Sequence, residues 1–292
     1  MPEPEVKKPP SNAYTIGFIV VLSLICALIL SVLASALAAP KEEAKELDRS
    51  RQMLIAAKIL SHDGYFLHKD KEGKLNPIRE EGLPSRADIL KVYNQRIVAM
   101  LTNDKGEIKS FKDLGIDRTS YENTNRKLGY YKQKWKLFYE VLPEDSKDDK
   151  AKPIGYVIPV NGYGLWDAIY GYLALEPDAD TVIGITWYDQ KETPGLGANI
   201  ADASWQVLFD GKKIFQESPD GKTDFSTAPL GITVVKGKVS EVLGSNPKSK
   251  SAVDGMTGAT LTGNGVNDAF KAVLAAYKPF LIKIHQENSK EK

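Results

Sequence analysis

Only one cysteine, Cys26, occurs in 292 residues, and only three histidines, His62, His68 and His285. A single thiol excludes an intrachain disulfide, and so thin a Cys/His set argues against a zinc cluster; no metal site is expected. Excess charge of either sign is lacking too. The 39 Lys+Arg against 38 Asp+Glu leave a formal net charge of +1, which gives no electrostatic reason to bind nucleic acid. The G-x-x-x-x-G-K-[ST], G-x-G-x-x-G and G-x-S-x-G signatures are all missing, so the common phosphate-loop, dinucleotide and serine-hydrolase readings have no support. Carboxylates are plentiful, but no spacing singles out an acid/base pair, and no catalytic residue is assigned. With 42% hydrophobic and 26% charged residues, the composition is that of a globular chain and excludes a disordered or polytopic one.

The most informative absence is local. No charged residue occurs between Lys8 and Lys41, and within that gap residues 14–37 read YTIGFIVVLSLICALILSVLASAL. As a helix, these 24 residues span about 36 Å, enough to cross the hydrocarbon core. A cleavable signal peptide is the competing reading, since Ala36-Leu37-Ala38 resembles its cleavage site, but the apolar run is too long for a signal h-region. Cys26, in mid-span, reads as a small apolar residue. Charge does not fix the orientation: Lys7 and Lys8 precede the span, and Lys41, Lys45, Arg49 and Arg51 follow it.

After Pro40 the residues EEAKELDRSRQMLIAAKIL read as a helix continuing from the span as a stalk. A second helix is expected from Arg86 to Leu101, with Ser85 as N-cap, Asp88 completing a capping box, and Ile89, Val92, Tyr93, Ile97, Met100 and Leu101 at helical spacing. Residues 143–152, PEDSKDDKAK, read as a solvated loop. The second half is β-rich, with strands expected at 153–160, 180–189, 204–209 and 231–238. A last helix is expected from Asn267 to Gln286, with Val266, Phe270, Val273, Leu274, Tyr277, Leu281 and Ile284 as its core stripe and a kink at Pro279. The fold class is α+β: a single N-terminal transmembrane helix, then one domain whose strand-rich half is closed by a helix.

Three Gly-rich segments remain to be explained: Asn161-Gly-Tyr-Gly-Leu-Trp166, Glu192-Thr-Pro-Gly-Leu-Gly197 and Asp254-Gly-Met-Thr-Gly-Ala-Thr-Leu-Thr-Gly-Asn-Gly265. Glycine permits close approach of a backbone to a ligand. The third segment leads into the last helix, where free N–H groups and the helix dipole favour a phosphate. Each segment alone is an ordinary tight turn; three together point to a planar aromatic ligand bearing a phosphate.

Asp254-Gly-Met-Thr-Gly-Ala-Thr260 resembles the flavinylation motif D-x-x-[ST]-G-A-T, with Thr257 in place of the commoner serine. NGYGLW, GYLALE and ETPGLG, in that order, resemble the C subunit of the Na⁺-translocating NADH:quinone oxidoreductase, in the FMN-binding family it shares with the G subunit of Rnf complexes. The resemblance covers nearly the whole chain. It implies FMN joined through its phosphate to the hydroxyl of Thr260, with Thr257 and the amides of Gly258, Ala259 and Leu261 around the phosphate. Asp254 matches the motif acid, either for the Mg²⁺ of a separate flavin transferase or as a loop cap. Tyr163, Leu165 and Trp166 would cover the ring, unless Trp166 is a core residue. Glu192, Thr193 and Leu196 would form a second wall, and Lys236 would approach the ring edge, unless it is a solvated surface lysine.

The implied activity is electron relay within an NADH:ubiquinone reductase that exports Na⁺, among other membrane and peripheral subunits. The implied location is the bacterial inner membrane: residues 1–13 cytoplasmic, 14–37 spanning, 38–142 a helical stalk and first part of the domain, and 143–292 the FMN-binding part in the periplasm. The alternatives are the G subunit of an Rnf-type complex and a membrane-anchored flavin-binding regulator.

Overall fold

The computed structural model describes residues 11–289, apart from residues 71, 81, 145 and 147–150. Helix α1 runs unbroken from Asn12 to Ala56 with Pro40 inside it, so the apolar span and the expected stalk are one helix. It is the one described helix long and apolar enough to cross a membrane. The chain divides into two compact units between Asp48 and Arg49.

In the second unit, strands β1 (Leu67–Lys69) and β2 (Leu75–Pro77) form a small hairpin. There follow α2 (Arg86–Arg96), β3 (Ile97–Thr102), β4 (Ile108–Lys109), α3 (Arg118–Asn125), β5 (Lys136–Val141), β6 (Gly155–Tyr163), β7 (Ala168–Leu175) and β8 (Val182–Asp189). The chain ends with α4 (Ala203–Gln206), β9 (Thr233–Val234), α5 (Val239–Val242), β10 (Ala252–Val253) and α6 (Thr260–Ser289). One antiparallel sheet of order β4-β3-β5-β6-β7-β8 dominates, and β9 and β10 pair in parallel as a separate ribbon.

Helix α6 lies on one face of this sheet. Its expected stripe from Val266 to Ile284 is buried throughout, against Phe138, Ile158, Ile169, Leu173, Ile185 and Trp187 of the strands. The last turns of α1 cover the other face: Met53 and Leu54 are buried, and Thr186 Oγ1 donates to the Gln52 carbonyl at 3.2 Å. With both faces covered, Gly155–Val160 of the interior strand β6 is buried at every position, as a strand without a solvent face must be.

Several expectations are corrected. The capping box forms as read, with Ser85 Oγ accepting from Asp88 N and Asp88 Oδ2 accepting from Ser85 N at 3.0 Å. The helix nevertheless stops at Arg96, and Ile97–Thr102 is a strand paired residue by residue with β5. A short apolar run satisfies both periods, and tertiary pairing decides between them. Residues 204–209 are helical turns, not a strand; Trp205 and Phe209, one turn apart, meet edge-on at 4.9 Å in the core. Of 231–238 only Thr233–Val234 is strand, while β5 and β7 are strands the sequence did not announce. Helix α6 begins at Thr260 rather than Asn267, so the hydroxyl-rich end of the third Gly segment is itself the first helical turn. Half of the charged stretch 143–152, residues 145 and 147–150, lies outside the described residues.

Candidate functional site

The three Gly-rich segments meet. The first is the turn between β6 and β7, closed by Gly164 N–H donating to the Asp167 carbonyl at 2.9 Å. The second leaves β8, and the third enters α6. Their common point is Glu192, a carboxylate only 5% exposed. It accepts from Leu165 N at 3.0 Å and Trp166 N at 2.9 Å in the first segment, and from Thr262 Oγ1 at 2.5 Å in the third. Burial pushes the Glu192 carboxyl up, but the Thr262 hydroxyl and the Trp166, Leu165 and Asp167 amides outweigh it and hold the group below the usual carboxylate range. Glycine is required beside it: a Cβ at Gly197 would collide with Thr262 Oγ1 and Glu192 Oε2.

At this junction lies a cavity of about 180 Å³, lined by Leu165, Trp166, Glu192, Thr193, Leu196, Gly197 and the residues from Gly258 to Thr262. Its apolar walls face outward: Trp166 is 67% exposed, Leu261 59%, Leu165 49% and Leu196 42%. Trp166 is therefore not a core residue; its indole is held by Nε1 donating to Thr193 Oγ1 at 3.0 Å. A cluster of exposed large apolar side chains around a concavity marks a place where something else binds. A second cavity of about 160 Å³, lined by Lys236, Gly237, Met256, Thr257 and Asn264, shares Gly258, Ala259 and Thr260 with the first. Gly258, at φ +75°, makes the left-handed turn that lets this shared rim enter the helix.

Thr260 stands on the rim, exposed, as the first residue of α6. Gly263 N–H donates to the Ala259 carbonyl at 2.9 Å; the three amides before it lie in the turn where a helix leaves its N–H groups without intrahelical partners. An anion beside Thr260 would meet those amides and the positive end of a 30-residue helix. Thr257, Gly258 and Leu261 are exposed around it, whereas Ala259 is buried.

The other expected residues divide. Asp254 behaves as a loop cap, its Oδ1 accepting from Val239 N at 2.7 Å while its carbonyl accepts from Trp205 Nε1 at 3.0 Å. Lys236 is exposed at the second cavity. Tyr163, 76% exposed, lines neither cavity. Sequence reasoning missed Asn267, whose Oδ1 accepts from Val234 N at 2.6 Å and whose Nδ2 donates to the Val234 carbonyl at 3.2 Å, pinning β9 to α6. It also missed Met256 at the second cavity. Neither residue type carries a sequence signature for such a role.

Comparison with known proteins identifies the family. Residues 164–275, which hold all three segments but for the first three residues of NGYGLW, match the family model of an FMN-binding domain. The C subunit of the Na(+)-translocating NADH-quinone reductase of Chlamydia caviae is 39% identical over 312 aligned positions, covering 99% of this chain and 97% of the relative. The chain belongs to the family of Na⁺-translocating NADH-quinone reductase C subunits. A more distant C subunit, from Haemophilus ducreyi, is 30% identical over 92% of this chain and 93% of its own length. The crystal structure of NqrC from Shewanella oneidensis, at 25% identity, superposes with a TM-score of 0.56 over 83% of this chain and 99% of its own. As a member of this family, the chain combines one candidate membrane helix with an α+β domain carrying an FMN-binding region.

Proposed function

We propose that this chain carries FMN as a phosphate ester on Thr260 and relays electrons between neighbouring subunits of an NADH:ubiquinone reductase that exports Na⁺. One observation carries the reading. An exposed threonine hydroxyl begins a long helix on a rim shared by two cavities, one of them walled by Leu165, Trp166 and Leu196. These residues fit the group. Thr257 and the amides of Gly258 and Leu261 would hold phosphate oxygens, whereas the expected Ala259 amide already donates to the Met256 carbonyl at 3.2 Å; Leu165, Trp166, Thr193 and Leu196 would hold the flat ring, and Lys236 would supply positive charge from the second cavity. When bound, FMN supplies reversible uptake of one or two electrons. The chain's own task is to hold it, and a covalent tether keeps it from leaving between donor and acceptor.

In maturation the Thr260 oxygen would bond to the flavin phosphorus as the bond from that phosphorus to the donor's leaving group breaks, and the hydroxyl proton would pass to the departing group. A separate flavin transferase supports that exchange, with Asp254 either serving its Mg²⁺ or only capping the loop. The domain lies on the periplasmic side of the inner membrane, with α1 as a single-pass anchor and residues 1–13 cytoplasmic. A Lys222→Cys reporter should react with an impermeant thiol reagent from the periplasm; labelling from the cytoplasm alone would reverse this topology. Chain made together with a flavin transferase should fluoresce under ultraviolet light after detergent denaturation, and Thr260→Ala should abolish the signal. Fluorescence persisting in Thr260→Ala refutes the attachment.

A further inference from the structure

Glu192 is expected from the sequence as part of the ring wall; it lines the apolar cavity, but its side chain is almost wholly buried and bonded from within the protein. The carboxylate is 5% exposed, and both its oxygens are occupied from within the protein: Oε1 by Trp166 N, Oε2 by Leu165 N and Thr262 Oγ1. The residues it joins are far apart in sequence. Leu165 and Trp166 belong to the turn between β6 and β7, while Thr262 sits two residues beyond Thr260 in the first turn of α6. No other side chain among those lining the apolar cavity bonds to both sides of it. Gly164 and Gly197 flank the carboxylate, and a Cβ on either would run into it.

We propose that Glu192 is a positioning residue, which sets Leu165 and Trp166 at a fixed distance from Thr260 through the bonds its carboxylate accepts. The inference rests on Thr260 as the attachment point. Charge matters as much as shape here. The Thr262 hydroxyl and the Trp166, Leu165 and Asp167 amides all bear on two oxygens, and a neutral amide of the same size cannot accept from all of them. In Glu192→Gln, an NH₂ in place of Oε1 faces the Trp166 N–H. An NH₂ in place of Oε2 faces the Leu165 N–H, although the Thr262 hydroxyl can turn to accept from it. Either way one amide of the ring-bearing turn loses its partner.

The test uses the full chain in detergent, in flavin-free and flavin-loaded forms. In flavin-free Glu192→Gln, hydrogen exchange at Leu165 N–H or Trp166 N–H should quicken about ten- to hundred-fold, as expected for loss of a hydrogen bond to a charged group, while Leu173 in β7 keeps its protection. In the loaded protein the covalent yield should hold, but the visible circular dichroism of the flavin should change, because the ring's neighbours are no longer fixed. A purely structural role would leave that spectrum alone. Thr262→Val, which cuts only the tie to α6, should change the spectrum in the same direction by less, and it serves if Glu192→Gln does not fold. Unchanged exchange at both amides, or an unchanged flavin spectrum in both variants, overturns the proposal. Wild-type chain without covalent flavin would refute the attachment instead, and the exchange measurement on flavin-free protein keeps the two failures apart.

Discussion

The two ends of α6 do opposite things. In its first turn Thr260, Leu261 and Asn264 are exposed, and Thr262 is buried only to reach Glu192. From Val266 onward the stripe through Phe270, Val273, Leu274, Tyr277 and Leu281 is fully buried, and the Tyr277 hydroxyl donates to the Leu137 carbonyl of β5 at 2.5 Å. One element therefore anchors the fold and presents the candidate attachment site. The buried length holds the first turn rigid, so amides and a hydroxyl stand at the surface without a flexible loop to carry them. Stability and ligand chemistry should accordingly be separable along a single helix.

The largest effect expected of that division comes from the buried end. Phe270→Ala, in contact with Trp187 and Phe209, should cost about 3–5 kcal/mol in denaturant unfolding. The fraction that remains folded should still accept flavin. Equal loss of attachment in that folded fraction would mean that the two ends are not independent.

Trp166→Ala should do the reverse. With 67% of the residue exposed, unfolding should shift by about 0.5 kcal/mol or less, while the flavin absorption and reduction potential change and the bond to Thr260 survives. An unaltered spectrum and potential would remove Trp166 from the ring wall.

The smallest effect is a pH dependence. Burial raises the Glu192 carboxyl, but the bonds from Thr262, Trp166 and Leu165 bring its net position below the ordinary glutamate value of 4.5. Because the folded value lies below the unfolded one, the stabilisation from Glu192 is fully present above pH 4.5 and fades as pH falls through the lower folded value. Protection of the Leu165 and Trp166 amides should therefore persist at about pH 5 and weaken only in stronger acid. Loss of that protection already between about pH 6 and 5 would contradict the bonding described for Glu192.

How far the sequence can be read follows the same contrast. The buried end of α6 is legible because seven apolar residues repeat at helical spacing, a pattern with few competing explanations. Its first turn is not, since threonines, glycines and an asparagine disfavour helix; packing onto the sheet and the pin from Asn267 to β9 override that preference. Ile97–Thr102 reads as helix because apolar residues at 97, 100 and 101 suit either period, and only the ladder to β5 decides. The capping box at Ser85 and Asp88 is legible because it is a local contact. In the site, the glycines and Thr260 carry their motif openly. The role of Glu192 is hidden, because nothing in ETPGLG shows that its carboxylate turns inward to amides 26 and 27 residues away.

Peptide mass mapping can locate the flavin on Thr260. Chain made with a flavin transferase should be denatured, digested and fragmented across residues 254–265, a stretch with three hydroxyl side chains, Thr257, Thr260 and Thr262. The mass of esterified FMN should fall on Thr260 alone, with Thr257 and Thr262 unmodified. Flavin mass on Thr257 or Thr262, or a wholly unmodified stretch from protein that is nonetheless yellow, would contradict it.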